Sequence, residues 1–216
     1  MTKLFNRLNV ALMLALLLAT AFGFALIPVG ETLPAHWSMY GAIDRFGPRN
    51  QVLIVLPLGA AAVAALLTGI GLFIKRTGRG DVSRQFTLVL SVVLVIFGAT
   101  QASTILIGLG HSIDVPRVIA VVQGLGLIAI GNIVPKSGQN TSSRIKQPYD
   151  ARHQYRVLKV MGLLFIATGV DLFVAAIIAA SPTWLFSLNI GGVAVATSSA
   201  ALYAIHLRSL AWHRAE

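Results

Sequence analysis

LPAHWSMYGAIDRFGP, residues 33–48, is the one long polar insertion outside the basic loops of this 216-residue chain, and its reading decides the fold. It joins two apolar runs, 8–27 and 51–74, each long enough as a helix to cross a hydrocarbon core of about 30 Å. Pro34, Gly41, Gly47 and Pro48 all interrupt helices, so the stretch is expected to be an ordered, turning loop between two spans rather than a continuation of either.

Composition supports the membrane reading. The chain is 56% hydrophobic and only 11% charged, with a mean hydropathy of +0.80, whereas a soluble domain carries roughly 25% charged residues. Bare backbone cannot be left unbonded in hydrocarbon, so spans are helices or closed barrels, and these apolar runs are continuous instead of alternating. The expectation is an all-α, polytopic helical bundle forming a single membrane domain over 1–216. The absence of cysteine removes disulfides and thiolate chemistry.

Working outward, six transmembrane helices are expected at 8–27, 51–74, 86–107, 117–133, 160–180 and 184–207. The first is read as structure because the apolar region of a signal peptide is usually only about 7 to 15 residues long. Of the 17 lysines and arginines, only Arg45, Arg49 and Arg117 fall on the side of the 33–48 loop. The positive-inside rule then places both termini in the cytoplasm and the loop outside. The net charge of +10 is accounted for by topology and attraction to anionic lipid, with no nucleic-acid partner needed. Between spans four and five, Arg152, Arg156 and Lys159 recur at helical spacing and read as a helix lying on the membrane surface.

Several of these residues form a pattern. Leu33-Pro34-x-His36-Trp37, then Gly41, Asp44, Gly47 and Pro48, followed by a span containing Pro57, resembles the N-terminal membrane domain of the SdpI immunity-protein family. Asn132 after Gly131, Pro135 and Asn140 are similar to the signature opening that family's C-terminal domain, and Gly162 matches a glycine after its basic loop. The chain departs from the family at Ser143-Arg144-Ile145-Lys146 and Tyr155, where a Gly-Ile-Arg-Thr type stretch and a tryptophan are common. The resemblance implies a multi-pass protein of the bacterial cytoplasmic membrane that protects a cell from a secreted toxic peptide. It further implies a cytoplasmic regulator as partner, an implication weakened by the departure around Arg144.

The candidate recognition residues are His36, Trp37, Tyr40 and Asp44. Trp37 is a large amphipathic ring suited to an interface, and His36 beside it adds a polar handle. His36, Asp44, His111 and Asp114 fall on one side, yet no spacing characteristic of a metal site joins them, so they are read as turn and helix-end caps with no metal or cofactor. Asp171 lies near the middle of span five and is expected to face the bundle, either bonded to Thr197, Ser198 or Ser199 or serving a proton or ion role, on which a carrier would depend. Thr100, Gln101, Ser103, Thr104, Gln123 and Asn189 occupy the outer halves of their spans and are positioned to line a polar pocket beneath the loops. Ala60 with Ala64, Gly69 with Gly71, and Gly191 with Gly192 are read as points of close helix approach. No serine, histidine and acid cluster is placed for catalysis, so an enzyme is not expected. Two classes of function remain: sensing of, or immunity to, a secreted peptide, and a small transporter of an ion or amphipathic molecule.

Overall fold

The computed structural model describes residues 6–38, 40–76, 83–142 and 148–178, and beyond these only Gly191, Ala194 and Ser198. Their order is α1 (Arg7–Leu26), β1 (Thr32–Trp37), β2 (Ile43–Pro48), α2 (Arg49–Arg76), α3 (Ser83–Gly108), α4 (Val115–Ser142) and α5 (Pro148–Ile178). All five helices are long and apolar enough to cross a membrane. In α1 only 17% of the most apolar window is buried, so most of its hydrophobic surface is turned outward, as lipid requires and water would oppose. The expected span at 184–207 lies outside the described residues apart from the three single positions.

Local chemistry sets the helix ends. Asn6 caps α1 by accepting from the Asn9 N–H at 2.8 Å. At the end of α3 the His111 N–H reaches back to the Leu106 carbonyl and the Gly110 N–H to that of Ile107, with Gly110 at φ +90°, which is a Schellman motif. Asp114 then caps α4, its carboxylate accepting the Arg117 N–H at 3.2 Å.

The 33–48 stretch is a β-hairpin, not an irregular loop, and corrects the all-α expectation. Its prolines read as helix breakers, and they are compatible with strands here because each strand of a two-stranded ribbon has a free edge where a missing N–H costs no ladder bond. The register pairs Thr32 with Pro48, Leu33 with Gly47, Pro34 with Phe46, His36 with Arg45 and Trp37 with Ile43. The ribbon closes through the Ser38 N–H to the Ala42 carbonyl, with Gly41 at φ +77° in the turn. At its base the Arg49 N–H meets the Glu31 carbonyl at 3.0 Å.

Helices α1, α2 and α3 pack on one another, and the hairpin sits over α2 and α3. Leu16, Ala60, Ala64, Leu90 and Leu94 form their buried centre, so the small residues at 60 and 64 do serve close approach. Higher up, Ile27, Leu33, Leu53 and Ile105 bind the hairpin base to the bundle. A Cβ at Gly108 would lie 2.5 Å from the Leu33 side chain, so only glycine leaves Leu33 its seat. Helix α4 leans on α3, and α5 touches only α4 among the described elements.

The α4–α5 contact is made by backbone. A Cβ on Gly131 or on Gly162 would come within 2.5 Å of the other's carbonyl oxygen, and Gly124 and Gly169 repeat the arrangement seven residues away on each helix. By contrast, a Cβ added at Gly69 would meet no described atom within 4 Å, and one at Gly71 would make only ordinary contact with Phe86. Among the described residues Gly69 and Gly71 are not the close-approach points their sequence suggested; the surroundings of Gly191, and Gly192 itself, lie outside the described residues. The fourth and fifth helices also run longer than expected, to Ser142 and from Pro148. Much of the supposed surface-lying helix is therefore the extended first part of α5.

Candidate ligand site beneath the hairpin

The hairpin is fixed from three directions. Leu33 and Pro34 are buried beneath it. Arg49, 8% exposed at the junction of β2 and α2, donates to the Phe24 and Ile27 carbonyls at the end of α1 and stacks 5.3 Å from the Phe24 ring centroid. A cation at the carbonyl end of a helix is favoured by the helix dipole, and here it ties the hairpin to α1 as well. Finally, the register slips between Pro34 and His36 and again between His36 and Trp37. Such bulges re-aim side chains, and they bring His36 Nδ1 within 2.7 Å of Asp44 Oδ1. Both side chains are roughly half exposed, so the pair contributes orientation more than stability. Tyr40 is exposed at the turn, its N–H bonded to Ser38 Oγ.

Below the ribbon is a cavity of about 410 Å³, within the range of small-ligand sites. The hairpin contributes Pro34, Ala35, Trp37, Arg45, Phe46, Gly47 and Pro48; α2 contributes Gln51, Val52, Val55 and Leu56; α3 contributes Thr100 and Thr104. Phe97 packs on Gly59 one turn deeper, where α2 and α3 come together. Thr100 donates its hydroxyl to the Ile96 carbonyl, but Thr104, only 2% exposed, makes no side-chain hydrogen bond among the described residues. Among the described residues Arg45 is the single charged group in the lining.

The polar pocket expected beneath the loops is thus assembled in part. Thr100 and Thr104 line it, whereas Gln101 and Ser103 are buried in helix contacts and half-buried Gln123 on α4 takes no part. Asn189 lies outside the described residues. Of the four candidate recognition residues, Trp37 borders the cavity, and His36, Asp44 and Tyr40 stand on the exposed surface of the hairpin. Arg45, Phe46 and Gln51 were missed. Reading 43–48 as a strand instead of a loop would have flagged the first two.

The remaining candidates serve elsewhere. Asp114 is occupied by α4 capping and a 3.4 Å ion pair with Arg117, so the two His and Asp pairs do not converge. Among the described residues no three metal-ligating side chains come together. Asn132 accepts from Lys136 Nζ at 3.1 Å, and Pro135 packs against Gly162. Asn140 lies on α4, and Arg144 is outside the described residues. Asp171 does not face the helix it packs on. It is exposed, two residues and about 200° round α5 from Gly169, because Gly162, Gly169 and Leu172 take the α4 side. Of its expected partners Thr197 and Ser199 are not described.

Comparison of the chain with protein-family models, curated proteins and solved structures finds no match.

Proposed function

We propose that this chain is an SdpI-like protein of the bacterial cytoplasmic membrane, with the hairpin outside, that senses or gives immunity to a secreted amphipathic peptide. The observation that carries the reading is the joining of three features in one place: an aromatic, bulged hairpin, a cavity beneath it, and a rigid attachment through Leu33 and Arg49. An amphipathic ligand needs both an apolar contact and a few placed polar groups. Trp37 and Phe46 offer the first, and the His36–Asp44 pair and Arg45 the second. The bias of lysine and arginine toward the opposite end supports an outward hairpin. A cytoplasmic regulator would meet the basic segment around Arg144.

Transport through the bundle is the second reading. Its strongest sequence feature was Asp171, which shares neither the cavity nor its elements. The α1–α3 interior is filled by Leu16, Leu90 and Leu94. Recognition without turnover, and without catalysis, is the better account.

The test compares wild type with His36→Ala/Trp37→Ala at matched membrane abundance in a bacterium killed by the secreted peptide. Loss of protection with unchanged abundance is expected. Full protection by the double variant would leave lipid anchoring as the role of Trp37.

A further inference from the structure

The cavity has an open apolar wall. Val55 lines it and is itself 61% exposed, and the same outward face of α2 continues through Leu58, 62% exposed, and Leu66, 61% exposed. In a membrane that face meets acyl chains, so a hydrocarbon chain can pass from the bilayer into the cavity without crossing water. The polar side is equally specific. Arg45 has no hydrogen bond or ion pair with any described residue, and the neighbouring carboxylate, Asp44, is paired with His36. Among the described residues no carboxylate lines the cavity to compensate it. Thr104, a buried hydroxyl residue, belongs to the same lining.

We infer that the cavity binds an anionic phospholipid drawn sideways from the surrounding bilayer, with its phosphate on Arg45 and one chain against Val52, Val55 and Leu56. Arginine presents a fork of donors that matches phosphate geometry. Trp37 and Phe46 line the cavity together with Arg45, and a tryptophan is favoured at the level where headgroup gives way to chain. The Thr104 hydroxyl is placed for an ester oxygen of the glycerol region. A peptide reaching the cavity from water would have to meet the same single cation but would make no use of the lateral opening. The inference goes beyond the peptide-sensing reading and does not depend on it.

The test uses the full chain carrying Trp184→Phe and Trp212→Phe, which leaves Trp37 as its one tryptophan. It is reconstituted in phosphatidylcholine vesicles containing increasing brominated phosphatidylglycerol or, separately, brominated phosphatidylcholine, and quenching of Trp37 fluorescence is followed. Saturable quenching is expected at a phosphatidylglycerol fraction about tenfold below that for phosphatidylcholine, about one charge-assisted bond's worth of preference. Arg45→Gln removes the preference, while Arg117→Gln, at the same end but outside the lining, keeps it. Equal quenching by the two lipids, or a preference untouched by Arg45→Gln, overturns the inference. Loss of phosphatidylglycerol quenching on adding glycerol phosphate also overturns it, since the site would then read free phosphate. Full-length survival assays with the secreted peptide fail or succeed separately from these outcomes.

Discussion

Pro57 in α2 and Pro135 in α4 inflict the same damage on two helices, and the chain repairs it in two different ways. Each lacks the N–H that would return to the carbonyl four residues earlier, Leu53 in one case and Gly131 in the other. In hydrocarbon a carbonyl without a partner must be served by a neighbouring helix. The Leu53 oxygen accepts the Gln101 side-chain amide at 3.2 Å, from an α3 residue that also donates to Thr20 on α1. The Gly131 oxygen is pressed against Gly162 on α5, where the absence of a side chain lets a Cα–H approach. One repair recruits a long polar side chain and locks three helices. The other removes side chains and joins two.

The difference teaches which changes each region tolerates. Breaking the backbone repair should have the largest effect. Gly162→Leu places a side chain where the Gly131 oxygen and the Pro135 ring already sit, so α4 and α5 must separate. The chain has no cysteine, and Ala120 and Ala176 are buried together between these helices, so Ala120→Cys with Ala176→Cys reports the contact. Disulfide cross-linking should fall to background with Gly162→Leu, and an undiminished yield would show that the contact does not depend on glycine.

The polar repair should be intermediate and conditional. Gln101→Leu leaves the Leu53 carbonyl unserved, a cost of about 1 to 3 kcal/mol, but it also removes the Gln101 Oε1 atom, which is buried without a partner. A net loss of about 1 kcal/mol is expected in detergent unfolding. Pro57→Ala restores an N–H to the same carbonyl, so Gln101→Leu should cost less in that background. A double-mutant cycle with no coupling would separate the amide from the proline. The smallest effect is expected at Gly69, which has open space around it. Gly69→Ala should be neutral or stabilising by about 0.5 to 1 kcal/mol, whereas the same change at Gly131 should be clearly destabilising.

These contrasts also show what could be read in advance. The apolar runs announced six spans, five of which are described as long apolar helices, because continuous hydrophobicity is a strong signal, and Thr100 and Thr104 fell near the loop by depth alone. The hairpin was hidden, since Pro34, Gly47 and Pro48 look like loop punctuation until one sees that a two-stranded ribbon has only edges. The fourth span was expected to end at 133, yet α4 continues through Pro135 to Ser142, with the Pro135 ring seated against Gly162, far away in sequence. Asp171 was placed by the rule that intramembrane acids face inward; the structure adds that Gly162, Gly169 and Leu172 take the α4 side of α5, while Thr197 and Ser199, two of its three expected partners on the sixth span, lie outside the described residues. Arg45 was visible as a residue, but its isolation became readable only once His36 was seen to hold Asp44.

The polar contacts between α1 and α3 have a consequence for the order in which the chain is made. Asn9, fully buried, gives its side-chain amide to the Thr87 carbonyl and receives the Ser91 hydroxyl, a partner 82 residues further along. At about 5 to 20 residues per second, roughly 4 to 16 s pass between synthesis of the first group and of its partner. Throughout that interval the bonds from Asn9 to Thr87 and Ser91 cannot form, so the α1–α3 seam is completed only after the third helix has been made. Slowing translation between α2 and α3 should therefore lengthen the time the nascent chain can be cross-linked to the insertion machinery through position 9.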